Sequence, residues 1–442
     1  MKLTILGGGG FRVPLVYRAL LGDHGPGRVT RVTLYDVDAG RLAAIGGVLA
    51  EQAAGAPDAP VVSATTDLDE ALRGADFVFS AIRVGGLAGR AADERVALAE
   101  GVLGQETVGA GGIAYGLRTV PVATAIARRV AAVAPDAWVI NFTNPAGLVT
   151  EAMARVLGDR VIGICDSPVG LGRRVARLLG ADPAEAWFDY VGLNHLGWLR
   201  GVRVGGRDEL PRLLADAEAL GSFEEGRLFG AEWLRSLGAI PNEYLHYYYF
   251  NREAVGAYRD AGRTRGAYLS EQQAGFYASP SLGAWHATLA EREATYMAAN
   301  RAAAGAGERA AEDLEPGGYE QVALALMRAI ARDERATLIL NVRNRTTLSV
   351  LDADAVVEVP CLVDANGAHP VAVSPLPYHA VGLVTAVKAV EREVMAAAES
   401  GSREAAVKAF ALHPLVDSVA VARRLLDAYA AEHAGLAYLA GS

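Results

Sequence analysis

Along the first 165 residues, short apolar runs alternate with longer stretches whose apolar positions recur at helical spacing. The runs are LTIL (3–6), VTLYD (32–36), VVSAT (61–65), DFVFSAI (76–82), AWVINF (137–142) and VIGIC (161–165). Between several of them lie segments rich in Ala, Leu and Arg, such as 39–54 and 119–134, that read as amphipathic helices. Near-continuous apolar strands separated by helices predict a parallel sheet covered on both faces, a doubly wound Rossmann-like α/β domain. After about residue 170 the alternation becomes irregular. WFDYVGLNHLGWLRGVRVGG predicts a strand, a loop and a returning strand, and ATLILNV and AVVEVPCLV predict two more strands. The chain closes on Ala-rich helical patterns at 383–399 and 403–433, and no internal repeat is visible. The pattern therefore predicts a first domain over 1–170 and a second, mixed α/β domain over 171–442.

Composition narrows the partners. At 442 residues the chain is too long for one compact core. With 52% apolar and 21% charged residues it has the make-up of a globular protein. A net charge of −9 argues against nucleic acid or an anionic membrane as partner, since both need a basic surface. Small anions stay possible, because local arginines can override a negative total. The two cysteines, Cys165 and Cys361, give no disulfide framework and fit a reducing compartment. No uninterrupted apolar run reaches the roughly 18 residues of a membrane span. The N-terminal MKLTILGGGG ends in glycines rather than a cleavage site, so a cytoplasmic protein is expected.

Three stretches carry candidate chemistry. ILGGGGFRVP places a glycine-rich turn directly after the first strand, where backbone can approach a pyrophosphate at the next helix N-terminus. Gly7 and Gly9 match the dinucleotide fingerprint, but its third glycine position is Arg12. Asp36, ending the second strand, is placed to bind both ribose hydroxyls of NAD, and an aspartate there favours NAD over NADP. Cys165 and His195 each end a strand-like run. A thiolate and an imidazole can hold a divalent metal, with water or substrate oxygens completing the shell. On spacing alone, two ligands thirty residues apart are a poor signal, and a buried cysteine and a satisfied core histidine are the better reading. In IPNEYLHYYYF an aromatic cluster mixes with Asn242, Glu243 and His246, which suggests a polar edge to a core. Arg83, Arg90, Arg263 and Arg265 gain weight only if they converge on one anion.

Taken together and in order, these strings resemble glycoside hydrolase family 4, the NAD- and manganese-dependent glycosidases. The similarity spans nearly the whole chain: the GGGG turn, IRVGGLAGRAADERVAL, GQETVGAGGIAYGLRTVP, DAWVINFTNPAG, GICDSPVG, YVGLNHLGW, IPNEYLHYY, TRG and VEVPC. The resemblance implies that Cys165 and His195 ligate Mn²⁺ or another divalent metal, and that Tyr244 is the catalytic base. It implies that Arg90, Asn144 and Arg265 hold a substrate 6-phosphate and that Asn194 touches sugar hydroxyls. The cofactor site would comprise Gly7, Gly8, Gly9, Gly10, Phe11, Asp36 and Asn141. The chemistry implied differs from that of two-carboxylate glycosidases: oxidation at sugar C3, removal of the C2 proton, elimination at C1, water addition and re-reduction. The second domain would then carry substrate, metal and subunit contacts, in a homodimer or homotetramer.

Two departures from the family pattern bear on specificity. Gly10 stands where members usually carry Ser. Asp166, in CDSP, matches members acting on 6-phospho-α-glucosides, where it serves as general acid; β-acting members often carry Asn. GLNHL, VGGLAGR, INFTNPAG and LHPLVDS look more like the β branch, so the expected substrate is a 6-phospho-β-glucoside such as cellobiose 6-phosphate. The rival readings are a 6-phospho-α-glucosidase of the same family, an NAD-dependent hydroxy-acid dehydrogenase, and a non-catalytic sugar-phosphate-binding regulator. A dehydrogenase would leave NFTNP and GLNH without a role, and the intact Tyr244, Cys165 and His195 argue against a regulator.

Overall fold

The computed structural model describes residues 1–310, 313 and 318–439. Its strands are β1 (Lys2–Leu6), β2 (Arg31–Tyr35), β3 (Val61–Thr65), β4 (Phe77–Ser80), β5 (Trp138–Asn141), β6 (Val161–Gly163), β7 (Trp187–Leu193), β8 (Leu196–Val204), β9 (Arg207–Asp208), β10 (Ile240–Pro241), β11 (Ala336–Arg343), β12 (Val356–Asp364) and β13 (Gly367–Pro370). The six apolar runs of the first domain become β1 to β6, all parallel, in the order β3-β2-β1-β4-β5-β6. Strand order reverses between β1 and β4, which opens a crevice beyond their carboxyl ends. β1 and β4 are buried along their whole length, as strands covered by helices on both faces must be.

The sheet does not stop at residue 170. β11 pairs antiparallel with β6, and the order continues β12-β7-β8-β10, with β13 on β12 and β9 on β8. Gly163 makes that join possible. A Cβ there would lie 2.4 Å from Thr150 Oγ1 and 2.8 Å from the Asn341 Cβ. The second half is thus mixed α/β, as expected, but shares one sheet with the first.

Two helical expectations need correction. The helix predicted at 119–134 runs Gly109–Val133, because its first turns are written in glycines that carry no hydrophobic period. The pattern at 403–433 is two helices, Arg403–Leu412 and Val419–Glu432, since Pro414 cannot continue the first. Among the described residues no helix is long and apolar enough to cross a membrane.

Candidate active site

A cavity of about 980 Å³ lies beyond the carboxyl ends of β1 and β4, lined among others by Gly7, Asp36, Arg90, Cys165, His195 and Tyr244. Its floor is the glycine turn. Gly7 has φ +81°, and a Cβ on it would meet the Ala81 carbonyl oxygen at 2.5 Å. The amides of Gly7 and Gly8 donate to the Tyr35 oxygen (2.9 and 2.7 Å), that of Gly9 to Asp36 Oδ2 (3.0 Å), and that of Gly10 to the Gly7 oxygen (2.8 Å). The turn is therefore internally braced, and Gly8 and Gly9 shape it without lining the cavity. Phe11 and Arg12, just before helix Val13–Leu21, are left as the available amide donors. Phe11 is pinned by Trp285 Nε1, which donates to its carbonyl (2.8 Å). A bare-backbone cradle at a helix start, with Asp36 at its rim, fits a dinucleotide.

At the opposite wall β6 delivers Cys165, and the hairpin turn between β7 and β8 delivers His195. His195 takes φ +61°, an uncommon conformation for a residue with a side chain. Its Nε2 lies 3.5 Å from Cys165 Sγ, and its Nδ1 lies 2.8 Å from Thr107 Oγ1. The Tyr244 ring stacks on the imidazole, centroids 3.7 Å apart and planes 5° apart. Burial pushes the imidazole pKa down to about 4, so it is neutral at pH 7. Burial, with Glu358 and Asp166 nearby, pushes the Cys165 thiol well up. A soft sulfur and a neutral imidazole in contact are a donor pair suited to a divalent metal, whose charge would release the thiol proton. Among the described residues no third His, Cys, Asp or Glu joins them in one group, so the remaining coordination positions would fall to water or substrate.

Around Tyr244 the hydrogen bonding is dense. Its hydroxyl is 3.1 Å from that of Tyr296, which is 3.2 Å from Glu243 Oε1. Ser167 Oγ donates to the same carboxyl oxygen (2.6 Å). Burial raises the Glu243 pKa to about 7, and burial with Glu243 alongside raises the Tyr244 phenol well above its ordinary value. Asp166 lines the cavity beside Cys165, 3.5 Å from Arg12 Nη1, at the N-terminus of helix Ser167–Leu179.

The expected phosphate residues converge in part. Arg90, Asn144 and Arg265 all line the cavity. Arg90 is committed to Glu94 Oε1 (2.9 Å) and Glu106 Oε2 (2.5 Å), and Arg83 shares Glu106. Among the described residues Arg265 has no carboxylate partner; it donates to Thr295 Oγ1 (2.7 Å) and the Arg292 carbonyl (2.9 Å). Asn141 and Asn194 stand outside the lining. Asn141 Nδ2 donates to the Thr143 and Ala146 carbonyls and Thr150 Oγ1 (3.2, 3.3 and 3.0 Å), bracing the loop that carries Asn144. Asn194 Nδ2 donates to Glu358 Oε1 (3.0 Å).

Several further arginines line the cavity, and two of them, which sequence gave no anion-binding role, bear on its charge. Arg12, the residue that breaks the glycine fingerprint, faces Asp166 and lies 3.6 Å from Glu293. Arg292 lines the cavity, and among the described residues no carboxylate lies within 4.0 Å of it. Burial and the cations of Arg12, Arg265 and Arg90 push its pKa down to about 9. An anion placed among these cations would relieve that crowding. It lies in no quoted motif, 26 residues beyond TRG, and only the packing of its helix brings it to the cavity.

Comparison with known proteins identifies the family. The model described as Family 4 glycosyl hydrolase matches residues 2–181, and that of the Family 4 glycosyl hydrolase C-terminal domain matches residues 190–416. The chain is 32% identical to a probable 6-phospho-beta-glucosidase of Bacillus subtilis (strain 168), over 97% of this chain and 95% of that one. It superposes on the 6-phospho-beta glucosidase of Thermotoga maritima, solved with NAD and glucose-6-phosphate, with a TM-score of 0.83, at 27% identity and 97% coverage of both chains. A 6-phospho-alpha-glucosidase from gut microorganisms, in complex with NAD and Mn²⁺, gives a TM-score of 0.81 at 27% identity and 98% coverage of both.

Proposed function

The chain belongs to the family 4 glycosyl hydrolases, and from that premise we propose that it hydrolyses 6-phospho-β-glucosides, using NAD and a divalent metal ion. The observation that carries this reading is the convergence, in one cavity, of the glycine cradle, the Cys165–His195 pair under Tyr244, and Arg265, which has no carboxylate partner among the described residues. Bound there, NAD supplies a reversible hydride acceptor, and the metal supplies Lewis acidity and a positive charge that lowers the phenol pKa.

The chain's own residues do the rest. Gly7 to Phe11 and Asp36 hold the dinucleotide against the cavity floor, and Cys165 and His195 hold the metal at the wall. Arg265, with Arg90 and Asn144, takes the 6-phosphate and so fixes the ring orientation before reaction. Tyr244, clamped between His195 and Tyr296, removes the proton from C2 and returns one there. Asn194, held by Glu358 beside His195, would need to turn from its place outside the cavity lining to touch the sugar hydroxyls.

Asp166 is the point on which anomer preference turns. It lines the cavity 3.5 Å from Arg12, at the position where α-acting members keep a general acid, and taken alone it points to an α substrate. Likeness to the β branch in GLNHL, VGGLAGR, INFTNPAG and LHPLVDS outweighs that one position and carries the β reading. The test is direct: chromogenic 6-phospho-β- and 6-phospho-α-glucosides with NAD⁺ and Mn²⁺ under reducing conditions. The β substrate should release aglycone without net NADH; release from the α substrate alone would reverse the anomer assignment.

A further inference from the structure

The string GQETVGAGG, prominent in the sequence, has so far supplied Glu106, the carboxylate shared by Arg83 and Arg90, and the Thr107 hydroxyl beside His195. Its neighbours form a tight turn on the first coil of helix Gly109–Val133. Glycines let the turn sit there: a Cβ at Gly111 would lie 2.4 Å from the Gln105 carbonyl oxygen, and one at Gly112 would lie 2.5 Å from the Thr107 carbonyl carbon. Within the turn Gln105 Oε1 accepts from the amides of Thr107 (2.7 Å) and Val108 (3.0 Å). Those two N–H groups settle which end of the side-chain amide faces them, since an NH₂ there would set donor against donor.

An amide oxygen can only accept. The Thr107 hydroxyl lies 3.1 Å from it and 2.8 Å from His195 Nδ1. If the hydroxyl proton pointed at Nδ1, two oxygen lone pairs would face each other at 3.1 Å. If it points at Gln105, both contacts are satisfied, and Nδ1 must carry the imidazole proton. The lone pair on Nε2 then faces Cys165 Sγ at 3.5 Å. We propose that Thr107, oriented by Gln105, is a positioning residue that fixes His195 as the Nδ1–H tautomer and turns Nε2 toward the metal position. Hydrogen bonding at the far nitrogen of a metal-binding histidine is a general means of setting tautomer and ring orientation. The same turn thus braces the metal wall through Thr107 and the arginine wall through Glu106. The metal role rests on the function proposed above; the tautomer does not.

The test begins on metal-free protein. Long-range ¹H–¹⁵N correlation spectra, with His195 assigned by its loss in His195→Asn, should show the Nδ1–H form. Thr107→Val should lose that preference and weaken Mn²⁺ binding, measured by electron paramagnetic resonance, by about 10–100-fold. Thr107→Ser should restore both, and NAD affinity and melting temperature should hold in each variant. An Nε2–H tautomer in the wild type, or unchanged Mn²⁺ affinity in Thr107→Val, overturns the proposal. Cys165→Ser separates the two layers. If that variant also binds Mn²⁺ normally, the metal assignment itself is wrong, while the tautomer measurement still judges Thr107.

Discussion

Cys165 and Cys361 show how little a residue type says without its surroundings. Both are buried and reduced. Cys361 lies within β12 with its thiol on the Val359 carbonyl, a small apolar residue in a core. Cys165 ends at an imidazole, under an aromatic ring, on a cavity wall. Cys165→Ser should fold normally, because the volume change is small, and lose Mn²⁺-dependent turnover; full activity with Mn²⁺ would show that the thiol is not a ligand. The arginines separate in the same way. Arg265 and Arg292 lack carboxylate partners among the described residues, so their charge is available to a phosphate. Charge-assisted bonds of about 1.5–3 kcal/mol each imply that Arg265→Gln lowers kcat/KM for phosphorylated substrate by about tenfold or more. Arg292→Gln should act in the same direction, and NAD affinity should be unchanged in both. Equal rates on cellobiose and its 6-phosphate in the wild type would remove the phosphate reading. Sequence pointed to Arg265 through its resemblance to a motif. Arg292 was invisible because its role comes from where the packing of helix Leu282–Ala294 puts it.

At the scale of elements, what could be read in advance was what repeats. Six apolar runs became six strands with ends off by a residue or two. Burial on both faces leaves the inner strands no polar alternation to blur them, while the exposed edge strand β3 is legible from its apolar, β-branched make-up. Helix Gly109–Val133 was half hidden, since glycines needed for close packing against the 104–107 turn erase the hydrophobic period that marks a helix. The last two helices read as one until Pro414 is given its steric weight. At that break His413 is buried, its Nδ1 accepting from the Leu415 amide at 3.1 Å, and burial lowers its pKa to about 3 from 6.5. A base whose pKa is depressed by folding contributes stability that is complete above pH 6.5 and is lost as pH falls toward the folded value. His413→Gln should therefore flatten the decline of melting temperature between pH 6.5 and 4, whatever its effect at neutrality. An unchanged slope would mean that other groups govern the acid transition.

On the scale of the whole molecule, the fold brings together groups that the sequence keeps far apart. The glycine turn, the turn at 105–107, Cys165, His195, Tyr244 and Arg265 come from separate segments, yet one unbroken sheet and its helices hold them around a single cavity. That continuity through β6 and β11 was not readable, because a strand pairing between distant segments leaves no local pattern. The central claim is that this cavity breaks a glycosidic bond by removing the proton at C2, with Tyr244 as the base. Hydrolysis in D₂O tests it most directly. With NAD⁺ and Mn²⁺, the glucose 6-phosphate formed should carry deuterium at C2, detected by NMR or mass, and Tyr244→Phe should suppress turnover and label together. Rapid turnover by the wild type with no C2 label, no isotope effect from deuterium at C2 or C3, and no need for NAD⁺ would contradict the account.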